Sequence, residues 1–423
     1  MENNNRLKIA VVGAGVAGIV SAYLMQKKHD VTLYEKNSYI GGHTNTVVIP
    51  DGPDRGLPVD TGFIVLNDRT YPLFNQFLSR LQVSVSQTDM SFSYADLTRG
   101  LHYASMDLNS TFAQRKNLLN PSFWWFLRGI LTFNRVTRER LHQGALSGVT
   151  LGQHLEREGI SGRVARDFVL PMAGAIWSAP DGKIADFPAE TFARFYENHG
   201  LLSVSGQPQW HFVTGGSQTY VRAFLKDFRG KVMTDCAISG IRRKPSTVAL
   251  ARAGGEEEFD AVIIAAHADE ALRMLADPSP EETRLLSAWT YTQNETLLHR
   301  DDTFLPSIPR ARASWNYRRE STAVDDAPVC LTYDMTRLQR LPTDSRYCVT
   351  LNPARPVARE KLIDRFLYDH PVYNFASLST QKGLAALNGR NRTYFCGSYF
   401  GYGFHEDAVR SAVDVGKLMG IDL

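Results

Sequence analysis

Gly13, Gly15 and Gly18 fall in the run Gly13-Ala14-Gly15-Val16-Ala17-Gly18, and an acid, Glu35, follows. This GxGxxG spacing suits contact with a pyrophosphate. Gly13 permits a tight turn, Gly15 lets the backbone approach a phosphate closely, and Gly18 lets a helix pack against a strand. Val16 and Ala17 then open a helix whose free N–H groups and positive dipole end favour an anion. Glu35 is placed to accept hydrogen bonds from an adenosine ribose, with Lys36 beside it, and an acid at this position disfavours a 2′-phosphate.

The motif means something only in the right frame. Lys8 to Val12 reads as a buried parallel strand, Val16 to Lys28 places Ile19, Val20, Tyr23 and Leu24 at helical spacing, and Asp30 to Tyr34 alternates back into a strand. That is a βαβ unit for a dinucleotide. It does not choose between NAD and FAD, so the choice rests on three more distant stations. These are Ile40-Gly41-Gly42-His43-Thr44, then Val59-Asp60-Thr61-Gly62-Phe63 with Ile64, and finally Phe395-Cys396-Gly397-Ser398 leading to Gly401-Tyr402-Gly403-Phe404-His405-Glu406-Asp407 and an amphipathic helix.

Together these stations resemble the flavin amine oxidase superfamily, which includes monoamine and polyamine oxidases, protoporphyrinogen oxidase and phytoene-type desaturases. The likeness continues through Gly215-Gly216, the strands from Lys231 to Arg242, and Phe259 to Ala266. A bacterial subgroup of NAD/FAD-binding proteins linked with cyclopropane-type fatty-acid synthases is closer still, on Val59 to Val65, Ala313 to Tyr317 and Phe395 to Glu406. The resemblance implies noncovalent FAD. Its binding residues would be Gly41, Gly42, His43, Thr44, Gly62, Phe63, Ile64, Ala237, Ile238, Ala266, Gly397, Ser398, Gly403, Phe404, His405 and Ala408, besides the residues of the first motif. It also implies a final helix whose N-terminus meets the flavin. No cysteine stands where covalently flavinylated relatives carry theirs, since Cys396 lies in the preceding strand.

Three departures bear on the reaction. His43 stands where amine oxidases usually have arginine, Phe404 where they keep a cage tyrosine, and Thr296 to Arg300 offers no lysine toward the flavin. These leave FAD binding intact and count against amine oxidation.

The chain has 423 residues, 43% apolar and 22% charged, with a net charge of +3, so bulk electrostatics imply no nucleic-acid partner. Its four scattered cysteines suggest neither a metal site nor a disulfide framework, and fit a reducing compartment. The lead from Met1 to Arg6 and the run Leu7 to Val12 do not read as a signal peptide. No segment has the roughly eighteen apolar residues of a membrane span. A cytoplasmic protein is expected, with contact to the inner membrane surface as the alternative. The oligomeric state is open.

The expected fold class is α/β: a Rossmann-type FAD domain of the amine-oxidase kind with an inserted α+β substrate domain. Residues 1–89, 211–284 and 386–423 would form the first, residues 90–210 and 285–385 the second. The first inserted block reads as mostly helical after an opening strand region. In it, Phe123 to Phe133 joins large apolar residues to arginines and reads either as an interfacial helix or as a core helix. The second block holds strand-like runs at Val329 to Tyr333 and Tyr347 to Leu351.

His299 is a candidate acid or base near the flavin, and Tyr402 and Phe404 are candidate active-site aromatics. Trp177, Trp315, Tyr317 and Tyr399 are candidate lining residues. The leading expectation is an FAD oxidoreductase that desaturates an apolar substrate, such as a modified or unsaturated acyl chain, and passes electrons to oxygen or a membrane carrier. An amine oxidase and a non-catalytic flavin-binding partner are the alternatives.

Overall fold

The computed structural model describes residues 6–203, 205–320 and 328–423. The lead Met1 to Asn5 lies outside the described residues.

The glycine motif sits at the end of a five-stranded parallel sheet. Its strands run in the order Lys231–Met233, Asp30–Tyr34, Lys8–Val12, Ala261–Ile264 and Thr393–Phe395. The central three read as near-continuous apolar runs because both faces are covered. The helix Val16–Met25, buried along nearly its whole length, packs against the final helix His405–Leu418. The nucleotide end of the fold is thus assembled from both ends of the chain.

A seven-stranded mixed sheet forms the other layer. Its order is Leu362–Pro371, Tyr291–His299, Cys348–Leu351, Cys330–Asp334, Trp315–Arg319, Phe92–Asp96 and Leu101–Ala104. All neighbours pair antiparallel except Trp315–Arg319 with Phe92–Asp96, so the two inserted blocks of sequence meet at that parallel pair. Helices between residues 108 and 198 cover this layer, among them Pro121–His142, Leu170–Trp177 and Ala189–Asn198.

The helix Pro121–His142 divides the segment that sequence reading treated as one unit. Phe123, Phe126 and Phe133 are buried, with Phe123 beside Phe112 and Tyr103, while Trp124 and Trp125 face outward. The two expected readings, an interfacial helix and a core helix, thus divide between a core face and an open face of one helix. Among the described residues no helix is long and apolar enough to cross a membrane.

Candidate functional site

A cavity of about 910 Å³ runs between the two sheets, from the glycine motif to the helices of the second layer. At its nucleotide end Gly13 has φ +97°, and a Cβ there would lie 2.5 Å from the carbonyl oxygen of Ala265. A Cβ on Gly18 would lie 1.8 Å from the carbonyl oxygen of Gly13, so helix and strand close to a distance only glycine allows. Gly15 is different: a Cβ there would meet no protein atom within 4 Å. Its open side, on the cavity wall, is the space a phosphate would fill. The following helix has no acid in its first turn and no side-chain cap, which leaves its N–H groups to an anionic ligand.

Glu35 is buried, and its carboxylate accepts from the N–H of Ala14 at 2.9 Å and from the N–H and side-chain amide of Asn37 at 3.0 and 2.9 Å. It therefore braces the glycine turn as well as lining the cavity. Gly41 and Gly42 have φ of +135° and +60°, the N–H of Gly41 donates to Ala14, and Gly41 bridges Gly15. The two glycine stations, separated by a helix and a strand in sequence, are in backbone contact.

Beyond them the wall turns aromatic. The His43 ring lies 5.0 Å from Tyr368, 5.6 Å from His370 and 6.3 Å from His267. Burial, with help from the neighbouring imidazoles, holds His43 well below the usual histidine range, and burial pushes His370 down to about 4. The nearby fixed charges are paired with each other: Lys36 with Glu270 at 2.6 Å, and Arg273 with Asp269 at 3.0 Å. Below this wall Asp60, fully buried, accepts from the N–H and hydroxyl of Ser217 and the side chains of Thr46 and Gln339. Burial pushes its carboxyl up to about 6. It ties the second glycine station to Gly216-Ser217 and to the second layer.

At the far end, Asp407 accepts from the N–H groups of Tyr402 and Phe404, and Glu406 accepts from those of Leu73 and Phe74. These four bonds fix where the final helix begins. His405 stacks on Phe63, and its Nε2 is 3.1 Å from the hydroxyl of Thr44. Phe404 stacks on Phe195 with centroids 5.0 Å apart and 23° between planes, while Tyr402 meets Phe195 edge-on. Met172, Ile176 and Trp177 complete this end.

Among the described residues the acids on the cavity wall are Glu35, Glu270 and Asp369, and its lysine and arginine are Lys36 and Arg273. All five gather at the nucleotide end. Six buried polar atoms on the wall have no partner among the described residues: His43 Nε2, Trp177 Nε1, Thr296 Oγ1, Trp315 Nε1, Tyr373 OH and Tyr399 OH. An open glycine cradle, a buried acid at the ribose position and unpartnered donors further in fit a long dinucleotide with a polar ring system.

The sequence-derived residues mostly converge on this wall: Gly13, Gly15, Val16, Ala17, Glu35, Lys36, Gly41, Gly42, His43, Gly62, Phe63, Ile64, Ala237, Ile238, Ala266, Gly397, Ser398, Tyr402, Gly403, Phe404, His405 and Ala408 line it. Gly18 and Thr44 stand behind it, one packing helix on strand, the other holding His405 and Tyr220. Trp177, Trp315 and Tyr399 line it, and Tyr317 does not.

His299 is not on the wall either, and the expectation that it acts at the flavin is corrected. It is fully buried, bonded to the Thr350 hydroxyl at 2.7 Å and to the N–H of Asp301 at 3.1 Å, and packed on Phe304. Thr296 of the same strand does line the cavity; three residues on, the side chain points to the other face.

Sequence reading missed His267, His370, Tyr368, Phe195 and His199. Only Phe195 left a usable signal, in the helical spacing of Phe192, Phe195 and Tyr196.

A family model described as flavin containing amine oxidoreductase matches residues 16–336. A Mycobacterium tuberculosis protein provisionally named a flavin-containing monoamine oxidase is 23% identical over 336 residues, 78% of this chain and 70% of the relative. A mutant of putrescine oxidase superposes with a TM-score of 0.72 at 14% identity, over 98% of both chains. A fatty acid isomerase of P. acnes, described as CLA-producing, superposes with a TM-score of 0.66 at 13% identity, over 99% of both chains.

Proposed function

The chain belongs to the family of flavin-containing amine oxidoreductases and is an FAD-dependent oxidoreductase; from that premise we infer that it dehydrogenates an apolar substrate, a modified or unsaturated fatty-acyl chain, rather than an amine. The observation that carries the reading is the charge distribution along the cavity. Among the described residues every carboxylate on the wall lies at the nucleotide end. At the far end Glu406 and Asp407 stand behind the wall, held by backbone N–H groups and, for Asp407, by Arg410, so an ammonium there would lose its hydration without a free counter-charge. The lysine and arginine are also at the nucleotide end, so a chain whose head group stays outside suits the space better than a free acid drawn fully in.

The stacked rings of Phe195 and Phe404 point the same way. A carbon held between two aromatic faces needs the rings about 7 Å apart, twice a van der Waals contact. At 5.0 Å these rings are in contact with each other and leave no slot for an amine.

FAD, when bound, supplies the two-electron acceptor for a C–H bond. The protein supplies position and dryness. In this reading residues 1–89, 211–284 and 386–423 hold the cofactor, and residues 90–210 and 285–385 hold the substrate. Gly15, Gly42 and the N-terminus of Val16–Met25 would receive the diphosphate, and Glu35 the ribose. The N–H of Phe404 is taken by Asp407, whereas His405, first in its helix, keeps an N–H that no intrahelical carbonyl reaches. That N–H and the dipole behind it would favour negative charge on a flavin ring bound there. Met172, Ile176, Trp177, Phe404 and Tyr402 exclude water from the far end. No side-chain base is assigned. Oxygen or a membrane carrier would serve as the electron acceptor, and the place of work is the cytoplasm, with contact to the inner membrane surface as the alternative.

Mixing the flavin-loaded protein anaerobically with lipids bearing unsaturated or modified acyl chains, and separately with primary amines and polyamines, tests this. Loss of oxidised-flavin absorbance with a lipid and not with amines is expected. Rapid bleaching by an amine, with none by any lipid, would overturn the substrate assignment.

A further inference from the structure

Between Asp107 and Glu139 the chain carries no acidic residue and five basic ones, Arg115, Lys116, Arg128, Arg135 and Arg138, although the whole protein is nearly neutral at +3. This stretch ends in the turn Arg115–Leu119 and the helix Pro121–His142. Trp124, Arg128, Leu131 and Arg135 recur at intervals of four, three and four, which places them on one stripe of the helix. Phe123, Phe126 and Phe133 occupy the opposite, buried side.

The open side is unusually apolar for a surface. Leu119 is 90% exposed, Trp125 70%, Leu131 54% and Trp124 51%, with Leu118 nearly half exposed. The Trp124 indole N–H donates to the carbonyl oxygen of Leu118 at 3.0 Å, so turn and helix present their apolar groups together. Arg115, Lys116 and Arg128 pair with no carboxylate among the described residues; Arg135 pairs with Glu139 one turn on. Tryptophans and leucines ringed by unpaired cations match an anionic lipid surface, where apolar groups enter the acyl boundary and cations meet phosphates. An apolar protein groove would satisfy the leucines and leave the cations unmatched.

We propose that Leu118, Leu119, Trp124, Trp125 and Leu131 form a foot that dips into an anionic bilayer, with Arg115, Lys116 and Arg128 at its phosphates. The foot is one helix removed from the cavity. Its buried side packs on Ala189–Asn198 through Phe133 and Phe192, and that helix carries Phe195 to the cavity wall. Because the foot and the cavity share no residue, the proposal stands or falls separately from the acyl-chain reading.

Co-sedimentation of the flavin-loaded full chain with vesicles tests it, comparing phosphatidylcholine alone with phosphatidylcholine mixed with phosphatidylglycerol. Binding to the anionic vesicles, weakened by salt, is expected. Leu119→Ser with Trp125→Ser should weaken that binding by about tenfold or more while melting temperature and flavin spectrum stay put. Lys116→Glu with Arg128→Glu should abolish the preference for anionic lipid. Phe123→Ser, on the buried side, should instead lower the melting temperature. Absence of vesicle binding by the unaltered protein would overturn the proposal. So would vesicle binding that neither double variant reduces, or a foot variant that instead splits a dimer.

Discussion

The imidazole of His405 lies flat on the ring of Phe63, their centroids 3.6 Å apart and their planes 16° from parallel. Burial pushes this histidine down to about 3, and His199, His299 and His370 down to about 4. Each has a folded pKa below its unfolded value, so the unfolded chain binds more protons as pH falls from about 6.5 toward 4. Stability from these groups is present above that window and lost going down through it. Asp60, pushed up to about 6, and Glu406, pushed up to about 7, act oppositely: they favour the folded state at low pH and lose that contribution as pH rises through those values. With His43, also held well below the usual range, these imidazoles outnumber the two carboxyls and give a net loss on acidification below pH 6. Denaturant unfolding of the flavin-stripped protein should show it. His299→Gln should flatten the slope by about one proton, about 1.4 kcal/mol per pH unit; an unchanged slope would contradict the assignment.

Two glycines of one motif should respond differently to the same substitution. Gly15→Val places its side chain in open cavity, so the purified protein should be colourless yet melt as the flavin-stripped parent does. Gly18→Val drives its side chain into the Gly13 carbonyl and should yield misfolded protein. Flavin content and thermal melting of both variants separate the outcomes, and a stoichiometrically yellow Gly15→Val protein would remove the diphosphate from this site.

FAD affinity should tighten on mild acidification, even as the stripped protein loses stability. With Lys36 and Arg273 already paired, a diphosphate near His43 and His370 would raise their depressed pKa values, so binding takes up protons. The dissociation constant should fall by up to about tenfold per pH unit for each proton taken up below pH 6.5. His43→Arg, a permanent cation, should bind FAD with a weaker pH dependence. Flavin fluorescence titrations at several pH values would reveal a flat profile in the parent if the idea is wrong.

Acid precipitation should release the colour into the supernatant. Cys236 is the cysteine on the cavity wall, and it lies beside Glu35 at the nucleotide end, its N–H donating to the Glu35 carbonyl. Cys396 is buried against Ser21 behind the wall. Colour retained in the pellet would show a covalent bond that neither position explains.

The βαβ unit was legible because its signals are local: strand, turn, helix and terminal acid follow one another, and each glycine has a separate steric task. That Gly41, Thr44, Phe63 and His405 belong to one cofactor site with Gly15 was an expectation of the family resemblance alone, and their mutual contacts became visible only in the structure. The histidine wall escaped because His43, His267 and His370 come from three loops and strands far apart in sequence, and nothing in any one marks the others. His299 was misread because a strand near a cavity presents alternate residues to opposite faces, and only the structure shows that Thr296 has the cavity face. The helix at Phe123 stayed ambiguous for a related reason: a stripe of aromatics signals amphipathicity without saying which side meets the core.

The packing of Val16–Met25 against His405–Leu418 also orders events in time. In a nascent chain the glycine motif emerges well before the sheet strand Thr393–Phe395 and the helix that completes the cavity. Until then the cradle lacks one wall and exposes the apolar side of its first helix. A nascent chain therefore becomes competent for its cofactor only after the final helix has emerged, and truncation before that helix should leave a fragment with an exposed apolar face.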